Sequence, residues 1–170
     1  MSLMTSLHRT DDDRIAVLFE TNYAALVRLA AVLVDDVGSC EEIVQDAFAK
    51  LLTISPGPAP GKEAPYLRSA VLNGSRSRLR HRLVRERHPN LPAPPYPAAE
   101  QEAVHRMETR RVLDALRALP ARQAEVLALR FQADLSEAEI AETLGISTGS
   151  VKTHANRGIA KLRDRLGETS

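Results

Sequence analysis

The chain has 170 residues, a net charge of +1, 44% hydrophobic residues and only 4% aromatics, with no tryptophan. That length fits one large domain or two small ones, and the core must be mostly Leu, Val, Ala and Ile, as in helical bundles. A single cysteine, Cys40, excludes a disulfide framework and a cysteine-rich metal site, and it reads as a small residue near a helix start rather than a nucleophile.

No apolar run approaches the ~18 residues of a membrane span. Asp11, Asp12 and Asp13 stand where a signal peptide would need an apolar stretch. A soluble, cytoplasmic chain without membrane insertion is expected. Charge is segregated: residues 1–60 carry nine acidic against four basic side chains, and residues 61–90 carry eight basic against two acidic. Such asymmetry points to a polyanionic partner.

In the first unit Ile15, Phe19, Tyr23, Leu26, Ala30 and Leu33 recur at three- and four-residue steps, the mark of one buried helical face. Residues 39–42, SCEE, fit a capping box that opens a second helix carrying Ile43, Ala47, Phe48 and Leu51 inward. Its other face offers Glu41, Gln45, Asp46 and Lys50. After the loop ISPGPAPGK (54–62), Tyr66, Leu67, Ala70, Val71, Leu79 and Leu83 predict a third long helix. Asn73, Arg76 and Arg80 share one face of it, and acids are nearly absent between Leu67 and Arg85. That favours a nucleic-acid surface over a merely solvated face, with Tyr66 offering a ring to an unpaired base.

Nine of the ten prolines fall between Pro56 and Pro97. The segment HPNLPAPPYPAAE (88–100) is too poor in apolar residues to fold alone and reads as an extended linker. The second unit starts with a helix from Val104 to Leu116. Pro120 then stands in the first turn of the next helix, and a second capping box at residues 136–139 opens a short helix ending at Leu144. Gly145 follows where a left-handed residue is wanted, and Ser147 caps a last helix to about Leu166. No alternating run of β-branched residues occurs, so the chain is expected to be all-α.

Two short helices around a tight turn at residues 145–147 outline a helix-turn-helix. With Val151 inward, Ala155, Ile159, Leu162 and Leu166 share its face. Gly149, Thr153 and Arg157 then face away, flanked by Ser150, Asn156 and Lys161. The early residues are small enough for close approach to base edges; Arg157 suits guanine and Asn156 adenine. Lys161, Arg163 and Arg165 fit phosphate or solvent. The last helix carries five basic residues against Asp164 alone, which a generic solvated helix would not.

Taken together these stretches resemble a bacterial RNA polymerase sigma factor of the extracytoplasmic-function (ECF) group. LFETNYAALVRLAAVLVDDVGSCEEIVQDAFAKLL resembles sigma domain 2, and APYLRSAVLNGSRSRLRHRLVRER resembles the helix that melts and reads the −10 element. ALPARQAEVLALRFQADLSEAEIAETLGISTGSVKTHANRGIAKLRDRL resembles domain 4, which reads the −35 element.

The resemblance implies two helical domains, residues 1–87 and 104–170, joined by a linker at 88–103. It implies that Gln45, Asp46 and Phe48 fall in the polymerase-binding helix, and that Asn73 and Arg76 contact the opened −10 strand, with Tyr66 and Arg80 on the same helix. The loop at 54–63 would receive a flipped −10 base. Arg130, Lys152, Thr153, Asn156 and Arg157 match −35 contacts, with Lys161 beside them. Implied partners are core polymerase, through its β′ clamp helices and β flap, and promoter DNA; an anti-sigma factor is a further one. A free monomer without enzymatic activity, cofactor or metal is expected. The sequence departs from the family pattern at Tyr66, where Trp is common, in the Pro-Gly loop, and at Asn156 and Gly158, where larger residues are common. A stand-alone helix-turn-helix regulator of duplex DNA is the alternative reading.

Overall fold

A computed structural model describes residues 2–86 and 100–167; the expected extended linker lies outside the described residues except at its end. All the regular structure among the described residues is helical: α1 Ser2–Leu33, α2 Val37–Thr53, α3 Glu63–Glu86, α4 Glu100–Arg117, α5 Ala121–Phe131, α6 Glu137–Leu144 and α7 Thr148–Leu166. The expected all-α class holds. Helix α4 begins at Glu100, inside the stretch expected to be linker, because its apolar pattern extends back through Ala103 into residues with good helix propensity.

Helix α1 buries Leu26, Leu29, Ala30 and Leu33, in line with the expected face. Nearer its start that face opens: Phe19 is 40% exposed, yet its ring stacks on Tyr23 (centroids 4.6 Å) and tilts against Phe48 (5.0 Å). No uninterrupted apolar run of that length occurs, but a window within Asp12–Leu33 reaches the length and mean hydropathy (1.5) of a membrane span. That window leaves out the charged start at Asp12, Asp13 and Arg14 and holds only Glu20 and Arg28. In this fold its C-terminal half is a core helix.

Helix α2 starts earlier than its sequence suggests. The cap is Asp36, whose Oδ2 accepts from the Ser39 amide (2.9 Å) and the Ser39 hydroxyl (2.5 Å). The capping box expected at residues 39–42 is thus replaced: Ser39 is already in the first turn, and a carboxylate is the stronger acceptor at a helix N-terminus. Those two hydrogen bonds hold the Asp36 carboxyl below its usual range. Cys40 is buried, its Sγ donates to Val34 O (3.5 Å), and burial raises its thiol pKa, so it is a packing residue.

Helix α3 packs Leu67, Val71, Leu72 and Ser75 against α1 and α2. Its close approach to α2 needs Gly74, since a Cβ there would lie 2.9 Å from Ile43 Cγ2. Leu83, expected inside, is 64% exposed. Pro120 is the N-cap of α5 rather than a first-turn residue.

A single apolar cluster runs through both halves, from Leu26 and Val44 to Leu127, Ile140 and Val151. Helices α4 and α5 lie against α1, and α6 against α3. Arg117 of α4 donates to Ala31 O of α1 at 2.6 Å. Helix α5 is the junction. Its seven consecutive residues from Gln123 to Leu129 are all buried, and at ~100° per residue they go all the way round the helix.

Candidate nucleic-acid interface

The helix-turn-helix follows from local chemistry. Ser136 caps α6 with a reciprocal box: its Oγ accepts from the Glu139 amide (3.3 Å), and Glu139 Oε2 accepts from the Ser136 amide (2.8 Å). That exchange lowers the Glu139 pKa. Gly145 ends α6 at φ 64°, a left-handed position where any side chain would be strained. Ser147 then caps α7, accepting from the Ser150 amide at 3.1 Å. Ile140, Ala141, Val151 and Ala155 close the angle between the two helices.

Helix α7 is oriented as its sequence demands. Val151, Ala155 and Gly158 are buried, and Lys152, Thr153, Asn156, Arg157 and Lys161 are exposed. Thr153 Oγ1 donates to Gly149 O (3.0 Å). Lys152 Nζ lies 3.7 Å from Glu137 Oε2 across the turn, a loose pair at the surface. His154 is half-buried, and its Nδ1 has no partner among the described residues. Arg130 is exposed at the end of α5, its guanidinium 5.9 Å from the Phe131 ring centre. Gly158, one of the departures from the family pattern, is buried on the inner face of α7. It faces α5, where a Cβ would come within 2.9 Å of Leu127 Cδ1.

The arginine-rich helix is arranged differently. Asn73 and Arg80 are exposed, and Tyr66 is half-buried. Arg76 bonds Asn73 Oδ1 (3.1 Å) and pairs through Nε with Glu125 of α5. Arg78 pairs with Glu42 and Arg82 with Asp35. The acids missing from α3 itself are supplied by its neighbours, so their scarcity between Leu67 and Arg85 does not mark a helix left without counter-charges.

At the start of this helix Lys62 Nζ lies 2.5 Å from Glu142 Oε1 of α6. Arg68 is partly buried, which lowers its pKa, while the nearby Glu139 and Glu142 oppose that shift. A cleft of about 340 Å³ lies between the halves, lined by Asn73, Arg76, Arg122, Glu142 and Gly145 among others.

Sequence reasoning missed Glu125. It is 1% exposed and held by Arg76 from one side and by Arg122 Nη1 (3.2 Å) from the other. The only local sign was Arg122 three residues before it; the partner from α3 is 49 residues away. On α2, Gln45 and Asp46 are exposed, whereas Phe48 is only 5% exposed and packs under that face against Phe19.

Residues 109–162, which hold the helix-turn-helix, match the family model of sigma-70 region 4. The chain is 31% identical over 152 residues to an RNA polymerase sigma-E factor of Streptomyces antibioticus, covering 88% of this chain and 82% of that one. It is 36% identical over 67 residues to the ECF RNA polymerase sigma factor SigD of Mycobacterium tuberculosis, across 39% of this chain and 32% of SigD. Its fold is similar to that of the sigma factor RpoE in a complex with the anti-sigma factor NepR from Bartonella quintana, with a TM-score of 0.61 at 22% identity over 88% of this chain and 96% of that one. Near-full-length identity to a sigma factor sets aside the stand-alone regulator, and the family is non-catalytic. The chain belongs to the RNA polymerase sigma factors and is one of the ECF type.

Proposed function

We propose that this sigma factor fixes its register on a promoter with the outer face of α7 and engages the opened −10 strand with α3. The observation that carries the reading is the orientation of α7. Thr153, Asn156 and Arg157 share one exposed face directly opposite the buried Val151, Ala155 and Gly158. A major groove admits a helix presented this way, with small residues first and long donors behind. Lys152, Lys161 and Arg130 contact flanking phosphates. Tyr66, Asn73, Arg76 and Arg80 take the single strand.

The division of labour follows residues 1–87 and 104–170, with the proline-rich stretch between residue 88 and the start of α4 as the tether. The tether multiplies two weak affinities by effective concentration. Gln45 and Asp46 meet the β′ clamp helices of core polymerase in the cytoplasm, with Phe48 supporting that face from beneath. The C-terminal unit meets the β flap. The complex of RpoE with NepR supports an anti-sigma factor as a further partner of an otherwise monomeric chain.

Run-off transcription with core polymerase tests this reading. Arg157→Ala is expected to abolish transcription that depends on a −35 element while the chain still co-purifies with core polymerase. A variant that transcribes as well as the wild type would overturn the assignment of α7.

A further inference from the structure

The cleft of about 340 Å³ beside α3 is lined by two guanidiniums, Arg76 from α3 and Arg122 from α5. One buried carboxylate holds both: Glu125 Oε1 accepts from Arg76 Nε, and its Oε2 accepts from Arg122 Nη1 at 3.2 Å. Arg76 also donates to Asn73 Oδ1 at 3.1 Å. A guanidinium carries more N–H donors than these contacts use. Its other donors are therefore held in place beforehand, and a ligand that takes them is spared the cost of ordering two long side chains.

The rest of the lining suits a small anion with an apolar body. Ser69 and Asn73 add neutral polar groups, and Leu72 and Leu144 add apolar surface. Glu142, the acid on the lip, is already met by Lys62 at 2.5 Å. Arg68 stands one turn before Leu72, and its Nε is buried with no partner among the described residues. Lys62, Arg68, Arg76 and Arg122 together face Glu125, Glu139 and Glu142, which leaves one positive charge in surplus. The volume lies at the lower end of the range for ligand pockets, about 300–1,000 Å³.

We infer that this cleft is a binding site for a phosphomonoester of mononucleotide size, with its phosphate on Arg76 and Arg122 and its body against Leu72 and Leu144. The planar fork of a guanidinium matches the paired oxygens of a phosphate better than an ammonium does. A phosphomonoester brings about −1.5 to −2 charges at neutral pH, more than a lone carboxylate, and so draws more from the surplus. Arg76 and Arg122 come from different helices, so the ligand bridges α3 and α5 and stabilises the folded chain by mass action. The site does not depend on which nucleic acid α3 meets, because Arg122, Leu144 and Glu142 take no part in that reading.

The test is calorimetric titration of the full chain with adenosine 5′-monophosphate, alongside thermal melts. Saturable binding of one nucleotide per chain and a raised Tm are expected, and adenosine, which lacks the phosphate, is expected to give neither. Arg122→Lys keeps a charge beside Glu125 but loses the fork, and is expected to weaken binding about tenfold, the worth of one charge-assisted hydrogen bond. Glu142→Gln removes the acid on the lip and is expected to tighten binding about two- to fivefold, as for an exposed charge. Lys50→Gln, at an exposed position on α2, is expected to change nothing.

No saturable binding of the nucleotide overturns the site. Adenosine binding as tightly as the nucleotide overturns its phosphate recognition, and wild-type affinity in a folded Arg122→Lys chain overturns the role of the arginine pair. If Arg122→Lys does not fold, Glu142→Gln decides: unchanged or weaker binding overturns the site. A loss in Lys50→Gln equal to that in Arg122→Lys would mean general attraction to a basic chain, and would overturn it too.

Discussion

Helices α3 and α7 are both basic, both follow a turn or loop, and both are assigned to DNA, yet they stand in opposite states. On α7 the long donors point into solvent and touch little, with Lys152 only loosely near Glu137. On α3 Arg76, Arg78 and Arg82 each hold a carboxylate from another element. Basic charge alone therefore does not make a surface ready to bind. Readiness depends on whether the counter-charge comes from the partner or from the fold, and here one helix is presented while the other is engaged.

The strongest way to break that contrast is to truncate one arginine on each helix. Arg76→Ala leaves Glu125 buried with Arg122 alone and is expected to cost about 3 kcal/mol, the lower part of the range for halving a buried pair. Arg157→Ala removes an exposed side chain and should stay within about 0.5 kcal/mol of the wild type. Thermal or urea melts measure both; equal losses would mean that the two helices are held alike. Binding should reverse the ranking for duplex DNA. Arg157→Ala is expected to weaken a −35 duplex by about 1–3 kcal/mol, roughly 10- to 100-fold. Arg76→Ala should leave that duplex affinity nearly unchanged, as anisotropy titrations at fixed salt would read.

How far the sequence spoke for each helix follows the range of the forces involved. The helix-turn-helix was legible because its determinants are local: a box at Ser136 and Glu139, a left-handed residue at Gly145, a cap at Ser147 and an apolar stripe starting at Val151. The engagement of α3 was not legible, since its partners Asp35, Glu42 and Glu125 lie 36 to 49 residues away in sequence. The all-round burial of α5 has the same origin: its outer face is covered by α1, which no pattern within α5 could announce. Phe48 was read both as a core residue and as a polymerase contact, and packing settles only the first. The exposure of Lys152, Thr153, Asn156, Arg157 and Lys161 follows from the sequence because one buried valine fixes the rotation of an entire helix.

A smaller effect sharpens the α7 side of the comparison. The helix can present its outer face at the right depth only if its inner face lies close on α5, and Gly158 permits this. Gly158→Ala gains up to ~1 kcal/mol of helix propensity, but its Cβ must displace Leu127, which is fully buried and already 3.3 Å away at Cγ. Overpacking of this kind costs about 1–3 kcal/mol, so a net loss near 1 kcal/mol is expected in a urea melt. A stabilised variant would mean that the α5–α7 contact is looser than the geometry states.

The smallest effect concerns what holds α3 from beneath, and it depends on pH. Helix α2, against which α3 packs, begins at Asp36, whose carboxylate is held below its usual range by the Ser39 hydroxyl and amide. Because the folded pKa is depressed, the unfolded chain takes up the proton first. The contribution is therefore fully present above the ordinary aspartate range near pH 4, and it is lost as pH falls through the lower folded value. Asp36→Ala should cost about 1 kcal/mol at neutral pH, the usual worth of such a cap. The gap between variant and wild type should narrow as the solution is acidified below about pH 4. Glu139 in the α6 box, likewise depressed by Ser136, is expected to behave the same way beneath α7. Acid weakens the footing of both helices over one pH window, whereas Arg76→Ala acts on α3 alone; melts of the two cap variants and of Arg76→Ala across that window would separate the shared scaffold from the engagement that distinguishes them.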